Sequence, residues 1–153
     1  AGNLDNSREF YSKTLGLKEI GRPKALADKM KGAWYQVGSC TLHLIVEGES
    51  EQSTFRTGAK GQGKPLSSRD IHFALRISNY VETLQFLFHH GYREGGEDEL
   101  GIKVSYKADA GFPQIFIMDP NRNVIELNAA RLLNEGEVEQ VERALAAQKG
   151  TAG

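Results

Sequence analysis

The sequence predicts an α+β fold built from two copies of one small module, and three observations predict it. Two β-rich hairpins lie far apart in the chain, over residues 33–46 and 114–128. Each is preceded by a helical stretch that ends in Gly followed by a large apolar residue, Gly16-Leu17 and Gly91-Tyr92. Laying Gly91 on Gly16 also lays Tyr92 on Leu17, Phe86 on Tyr11 and Ser78 on Asn3, while a slightly larger offset lays Val124-Ile125-Glu126-Leu127 on Thr41-Leu42-His43-Leu44.

The elements follow in order. Asn3, Asp5, Asn6 and Ser7 offer N-caps for a helix over residues 8–15, with Phe10, Tyr11 and Leu15 on one face and Gly16 as its stop. Residues 17–20 form a short strand, and the basic stretch 22–31 reads as a loop. Residues 33–37 and 41–46 flank Gly38-Ser39-Cys40 as a hairpin. Residues 48–69, dense in Ser, Gly, Lys and Gln, have no apolar periodicity and read as a long connection or lid. Residues 71–77 are a strand. Asn79 caps a helix whose Val81, Leu84, Leu87 and Phe88 recur at helical spacing, ending at His89-His90-Gly91. Residues 92–106 are ambiguous, with Ile102-Lys103-Val104 the best strand core. Residues 114–118 are a strand entering the turn Asp119-Pro120-Asn121-Arg122-Asn123. On the strand that leaves this turn, Val124, Glu126 and Asn128 point to one side, Ile125 and Leu127 to the other. From Leu132 onward Val138, Val141 and Leu145 mark an amphipathic helix, and residues 149–153 fray.

At 153 residues the chain is one domain, or two small modules sharing a core. Its net charge of −1 gives no reason to expect nucleic acid or an anionic membrane. No apolar run is long enough to span a bilayer and no secretory leader is visible. The single cysteine, Cys40, forms no internal disulfide and has no adjacent base, so a reducing, cytoplasmic setting is the default.

The repeat exposes a gap. Module two opens with the strand carrying His72, whereas module one opens at its helix, so a further strand is expected ahead of Ala1. The expected organisation is module one over 1–47, lacking its first strand; a connecting loop over 48–69; module two over 70–130; and a C-terminal helix and tail over 131–153.

The stretches Asn3-Leu4-Asp5-Asn6-Ser7-Arg8-Glu9-Phe10-Tyr11-Ser12-Lys13-Thr14-Leu15-Gly16-Leu17, Leu42-His43-Leu44, Ile71-His72-Phe73-Ala74-Leu75 and Asp119-Pro120-Asn121-Arg122-Asn123-Val124-Ile125-Glu126-Leu127 together resemble the vicinal oxygen chelate superfamily. That family includes glyoxalase I, fosfomycin- and bleomycin-resistance proteins, methylmalonyl-CoA epimerase and extradiol dioxygenases. The resemblance implies paired βαβββ modules whose curled mixed sheets form a cup around a divalent metal, with ligands on the first and last strands of each module. By position, His72, Glu126 and His43 match three of those ligands, and the fourth falls on the strand expected ahead of Ala1. Arg122 stands where the family commonly has Gly.

Two imidazoles and a carboxylate suit Zn, Fe, Mn, Co or Ni, and open coordination positions make such a site catalytic. The metal would act as a Lewis acid toward a small substrate with vicinal oxygens, with Glu126 and His43 doubling as catalytic groups. The resemblance leaves lyase, isomerase and dioxygenase chemistries open, and also a metal-free binding protein of the bleomycin-resistance kind. Each residue has a plainer reading: His72 as a core histidine held by a backbone carbonyl, Glu126 as the partner of a nearby cation, and His43 as a non-ligand. His89 and His90 read as cations at a helix C-terminus. A sheet lacking a strand has an open edge, so a homodimer is the expected assembly, with no nucleic-acid or membrane partner.

Overall fold

The computed structural model describes residues 4–46, 66–107 and 112–150. The chain forms two compact units, Ala1–Arg56 with Asp119–Asn121, and Thr57–Met118 with Arg122–Gly153.

The first unit begins with α1 (Leu4–Glu9), which runs straight into a π-helical turn, Phe10–Thr14. The widening shows in the backbone bonds: Leu15 N–H donates to the Phe10 carbonyl at 3.0 Å and Leu17 N–H to the Tyr11 carbonyl at 2.9 Å. Phe10 and Tyr11 are buried here, as their shared apolar face predicts, and Gly16 takes the left-handed conformation (φ 66°) that ends the helix. Strands β1 (Lys18–Ile20), β2 (Gly32–Val37) and β3 (Cys40–Ile45) form an antiparallel sheet in the order β1-β2-β3. Residues 22–31 carry a short helix, α2 (Lys24–Ala27), where the sequence suggested only a loop. Four residues are too few to show a period. The Arg22 guanidinium fastens it instead, donating to the carbonyls of Leu26 in the helix (3.5 Å) and of Met30 (2.7 Å) and Gly32 (3.2 Å) beyond it.

The turn Asp119–Asn121 belongs to this unit. Buried Tyr11 donates its hydroxyl to Asp119 Oδ2 at 3.0 Å, and Asn121 Nδ2 donates to Ser7 Oγ at 2.9 Å. Burial, then the adjacent Asp119 carboxylate, pushes the Tyr11 phenol far up from its ordinary range.

The second unit contains β4 (His72–Ile77), α3 (Tyr80–His89), β5 (Arg93–Glu94), β6 (Gly101–Ser105), β7 (Gln114–Met118), β8 (Val124–Ala129) and α4 (Glu135–Gly150). Its mixed sheet has the order β4-β8-β7-β6-β5; β4 runs parallel to β8, and β8, β7 and β6 are antiparallel. Asn79 caps α3 as expected, accepting from Glu82 N–H, and Tyr92 N–H closes the helix on the Leu87 carbonyl beyond left-handed Gly91. One sheet face supplies Ile115, Ile117, Ile125 and Leu127 to the core, as Leu84 and Leu87 of α3 and Val141 of α4 do from the helices. The ambiguous stretch 92–106 proves to be two strand pieces, β5 and β6, lying side by side in parallel. Two residues of β5 are too few to show a period. At the N-terminus of α4, Asn134 Oδ1 accepts from Glu137 N–H and Glu137 Oε2 from Asn134 N–H, both at 2.9 Å, a reciprocal cap.

Register bears out the repeat in the hairpins. Trp34 pairs with His43 in the first unit, and Phe116 pairs with Glu126 in the second, an aromatic opposite each candidate ligand. Glu126 lies between β4 and β7. Among the described residues β3 has a neighbour on one side only, β2.

Candidate metal-binding site

Strand β8 alternates as the sequence indicated, so Val124, Glu126 and Asn128 share a face with their neighbours in register. From β4 these are His72, Ala74 and Arg76; from β7 they are Met118, Phe116 and Gln114. Leu66, at the end of the long connection, closes an apolar cluster with Phe116, Met118 and Val124 on that face. The remainder of the connection, 47–65, lies outside the described residues.

The Glu126 carboxylate is buried at 6% exposure, which obliges it to find partners. It has three. Its Oε1 accepts from Gln114 Nε2 at 3.1 Å and from Asn128 Nδ2 at 3.2 Å, and its Oε2 meets His72 Nε2 at 3.0 Å. The other ring nitrogen of His72 lies 2.6 Å from the Asp70 carbonyl. Phe116 stands edge-on to the imidazole, 5.2 Å between centroids, and limits its tilt.

This geometry calls for a hydrogen or a cation between the two groups. A carbonyl oxygen only accepts, so His72 Nδ1 carries a hydrogen. In the neutral ring Nε2 is then a lone pair, and it faces a carboxylate oxygen. Two acceptors at that distance repel unless a positive charge lies between them, either a proton shared by the pair or a metal cation. The donor chemistry fits a first-row divalent ion: a backbone carbonyl orients the imidazole, as is usual for metal-binding histidines. The plainer reading of His72, a ring held by a backbone carbonyl, describes its Nδ1 and leaves its Nε2 aimed at Glu126.

His43 lies in the first unit, exposed on β3. Its ring stacks on Trp34 with centroids 3.8 Å apart and planes within 4° of parallel, and Nε2 lies 3.0 Å from Thr41 Oγ1. Among the described residues no three His, Cys, Asp or Glu side chains gather into a set able to hold a metal. His89 and His90 end α3 on the exposed surface, where His90 Nδ1 lies 2.8 Å from the Phe86 carbonyl. Gln114 and Asn128 are the partners of Glu126 that sequence reasoning passed over. Asn128 was visible in the alternation with Glu126; Gln114 had the weaker signal of sharing alternation with Phe116.

Arg122 adopts φ 63°, the left-handed region that a Gly would enter without strain. Its buried guanidinium reaches Glu99 Oε1 and the Glu97 carbonyl, each at 3.4 Å, which holds the strained residue in place.

No protein-family model matches the chain. A curated relative, Glyoxylase I 4 of Arabidopsis thaliana, is 27% identical over 127 residues, covering 82% of this chain and 63% of its own length. The chain therefore spans somewhat less than two thirds of that relative. Among solved structures, a putative glyoxalase family protein from Bacillus anthracis superposes with a TM-score of 0.56 at 25% identity, covering 82% of each chain. A lactoylglutathione lyase from Agrobacterium tumefaciens gives 0.54 at 20%, over 85% of this chain and 87% of its own. A fosfomycin resistance protein from Listeria monocytogenes gives 0.54 at 14%, over 90% and 89%.

The fold is thus the α+β fold of glyoxalase-type proteins. The similarity to a glyoxylase I relative and to a solved glyoxalase family structure supports the vicinal oxygen chelate superfamily that the motifs resemble.

Proposed function

We propose that this chain is part of a metal-dependent enzyme acting on a small substrate with vicinal oxygens, with His72 and Glu126 holding a divalent ion. The observation that carries the reading is the His72 Nε2–Glu126 Oε2 approach at 3.0 Å, an imidazole lone pair and a carboxylate oxygen converging where a shared proton or a bound cation can sit. Relatives that include a lactoylglutathione lyase and a fosfomycin resistance protein support enzymatic activity. Once bound, Zn, Fe, Mn, Co or Ni supplies Lewis-acid stabilisation of negative charge developing on a substrate oxygen. The chain's own groups do the rest. His72 is held at Nδ1 by the Asp70 carbonyl, so its free edge keeps one direction. Glu126 offers Oε2 to the ion or, in its absence, to the shared proton, and so serves as ligand and as proton acceptor. His43 is proposed as a further ligand or base on its register position, which matches that of Glu126.

The test is metal analysis by mass spectrometry on purified protein, with His72→Ala alongside. Stoichiometric metal that falls at least tenfold in His72→Ala supports the reading; no metal in either, or equal metal in both, refutes it. The metal-free binding alternative draws support from the apolar Phe116, Met118 and Val124 flanking Glu126. Tight binding of an organic ligand that survives chelator would favour it. The open edge of β3 supports the proposal of a homodimer, which light scattering tests directly.

A further inference from the structure

We infer that Gln114 and Asn128 are positioning residues that occupy one oxygen of Glu126 and so make it a one-oxygen ligand. The inference rests on the metal-binding reading above and concerns how the carboxylate is presented. Gln114 and Asn128 are direct partners across β7 and β8, so their amides reach the same oxygen, Oε1, from neighbouring strands at 3.1 and 3.2 Å. The residues directly opposite Glu126 in register are Ala74 and Phe116, and neither can donate to it.

A carboxylate has about four lone-pair sites, two on each oxygen. Both of those on Oε1 are filled by amide N–H groups, so engaging a cation through both oxygens would strip at least one of these hydrogen bonds at a buried position. Binding through Oε2 alone strips none, and it leaves one more coordination position for substrate oxygens.

Asn128 shows how firmly this is set. It is 8% exposed, and its Oδ1 finds no hydrogen-bond partner. Turning the amide over would press Oδ1 against Glu126 Oε1, acceptor on acceptor. The side chain is therefore oriented for Glu126 even though its own oxygen goes without a donor. Gln114 is anchored through its backbone as well, since its carbonyl accepts from buried Tyr80 at 3.1 Å.

The experiment uses cobalt(II) as probe, with the full chain and with the variants Gln114→Met and Asn128→Leu. Affinity is read by calorimetry and coordination by the visible absorption of the bound ion; circular dichroism checks that each variant is folded. Gln114 is only half-buried, so Gln114→Met keeps the test alive if Asn128→Leu fails to fold. Both variants are expected to bind cobalt about ten- to a hundredfold more weakly. The visible band should also lose intensity, as freed Oε1 joins the ion and raises its coordination number. Unchanged affinity and unchanged band overturn the inference while leaving the metal reading intact. Weaker binding with an unchanged band also overturns it, since that is what a merely structural role produces. A wild-type chain that binds no cobalt removes both.

Discussion

Tyr80→Phe removes one hydroxyl and leaves the ring that packs at the start of α3. That hydroxyl lies 3.1 Å from the Ser105 carbonyl and 3.1 Å from the Gln114 carbonyl, register partners at the end of the β6–β7 pair, so one proton serves two acceptors. Tyr80 is 3% exposed, and burial drives its phenol well above the ordinary range, so the group donates at every ordinary pH. A neutral hydrogen bond contributes about 0.5–1.5 kcal/mol net, and buried acceptors left without a donor add a desolvation cost. A loss of about 1–2 kcal/mol is therefore expected. With a urea slope of about 1–3 kcal/mol per molar, the unfolding midpoint should fall by about 0.3–2 M. The assay is urea unfolding followed by far-ultraviolet circular dichroism. An unchanged midpoint would mean that water serves those carbonyls as well as Tyr80 does. A changed slope would mean that the substitution acts on the unfolded chain.

Three other outcomes follow from particular residues. Desolvation by its neighbours raises the Glu94 carboxyl above its ordinary value of 4.5, so the wild-type fold loses stability as pH rises through and above that value; Glu94→Gln should match wild type in acid and exceed it at pH 7 in thermal unfolding. Glu137 behaves oppositely: the Arg131 guanidinium, then Asn134 N–H, holds it down at about 2, so its contribution is complete above 4.5 and lost as pH falls through about 2. The helical signal of Glu137→Gln should therefore fall below wild type at pH 7 and converge with it near pH 2. The single tryptophan, Trp34, stacks on His43, so His43→Ala should raise its emission, and cobalt held by His43 should quench wild type but spare the variant. Equal quenching in both would remove His43 from the ligand set.

The sequence made some of this legible because local chemistry decided it. Asn79, the 3.6-residue spacing of α3 and the turn residues 119–123 place α3, β7 and β8 almost to the residue. Gly16 and Gly91 announce left-handed helix ends that the backbone then adopts. Glu126 was conspicuous because a carboxylate in an apolar strand needs a partner, and His72 followed from its place at the start of the module. What stayed hidden depends on distant contacts. Helix α2 is held by Arg22 reaching carbonyls across a loop, and Leu66 ends a polar connection yet packs on Phe116. Gln114 matters only because β7 lies beside β8 in one register. No local pattern encodes which amide will meet which oxygen.

The π-helical turn at Phe10–Thr14 has a bearing on the kinship of the two modules. The first helix closes from Leu17 back to Tyr11, the second from Tyr92 back to Leu87, so the wide turn accommodates one residue that module two lacks. A gapless superposition from Gly16 and Gly91 therefore goes out of step above that turn, where it matches Tyr11, 1% exposed, with Phe86, 39% exposed. Allowing the extra residue brings Tyr11 onto Leu87, 2% exposed, and Ser7 onto Thr83. It also brings Asn3 onto Asn79, the residue that caps α3. The correspondence between the two helices thus runs deeper than unbroken counting reveals, and the wide turn is where the first holds one residue more than the second.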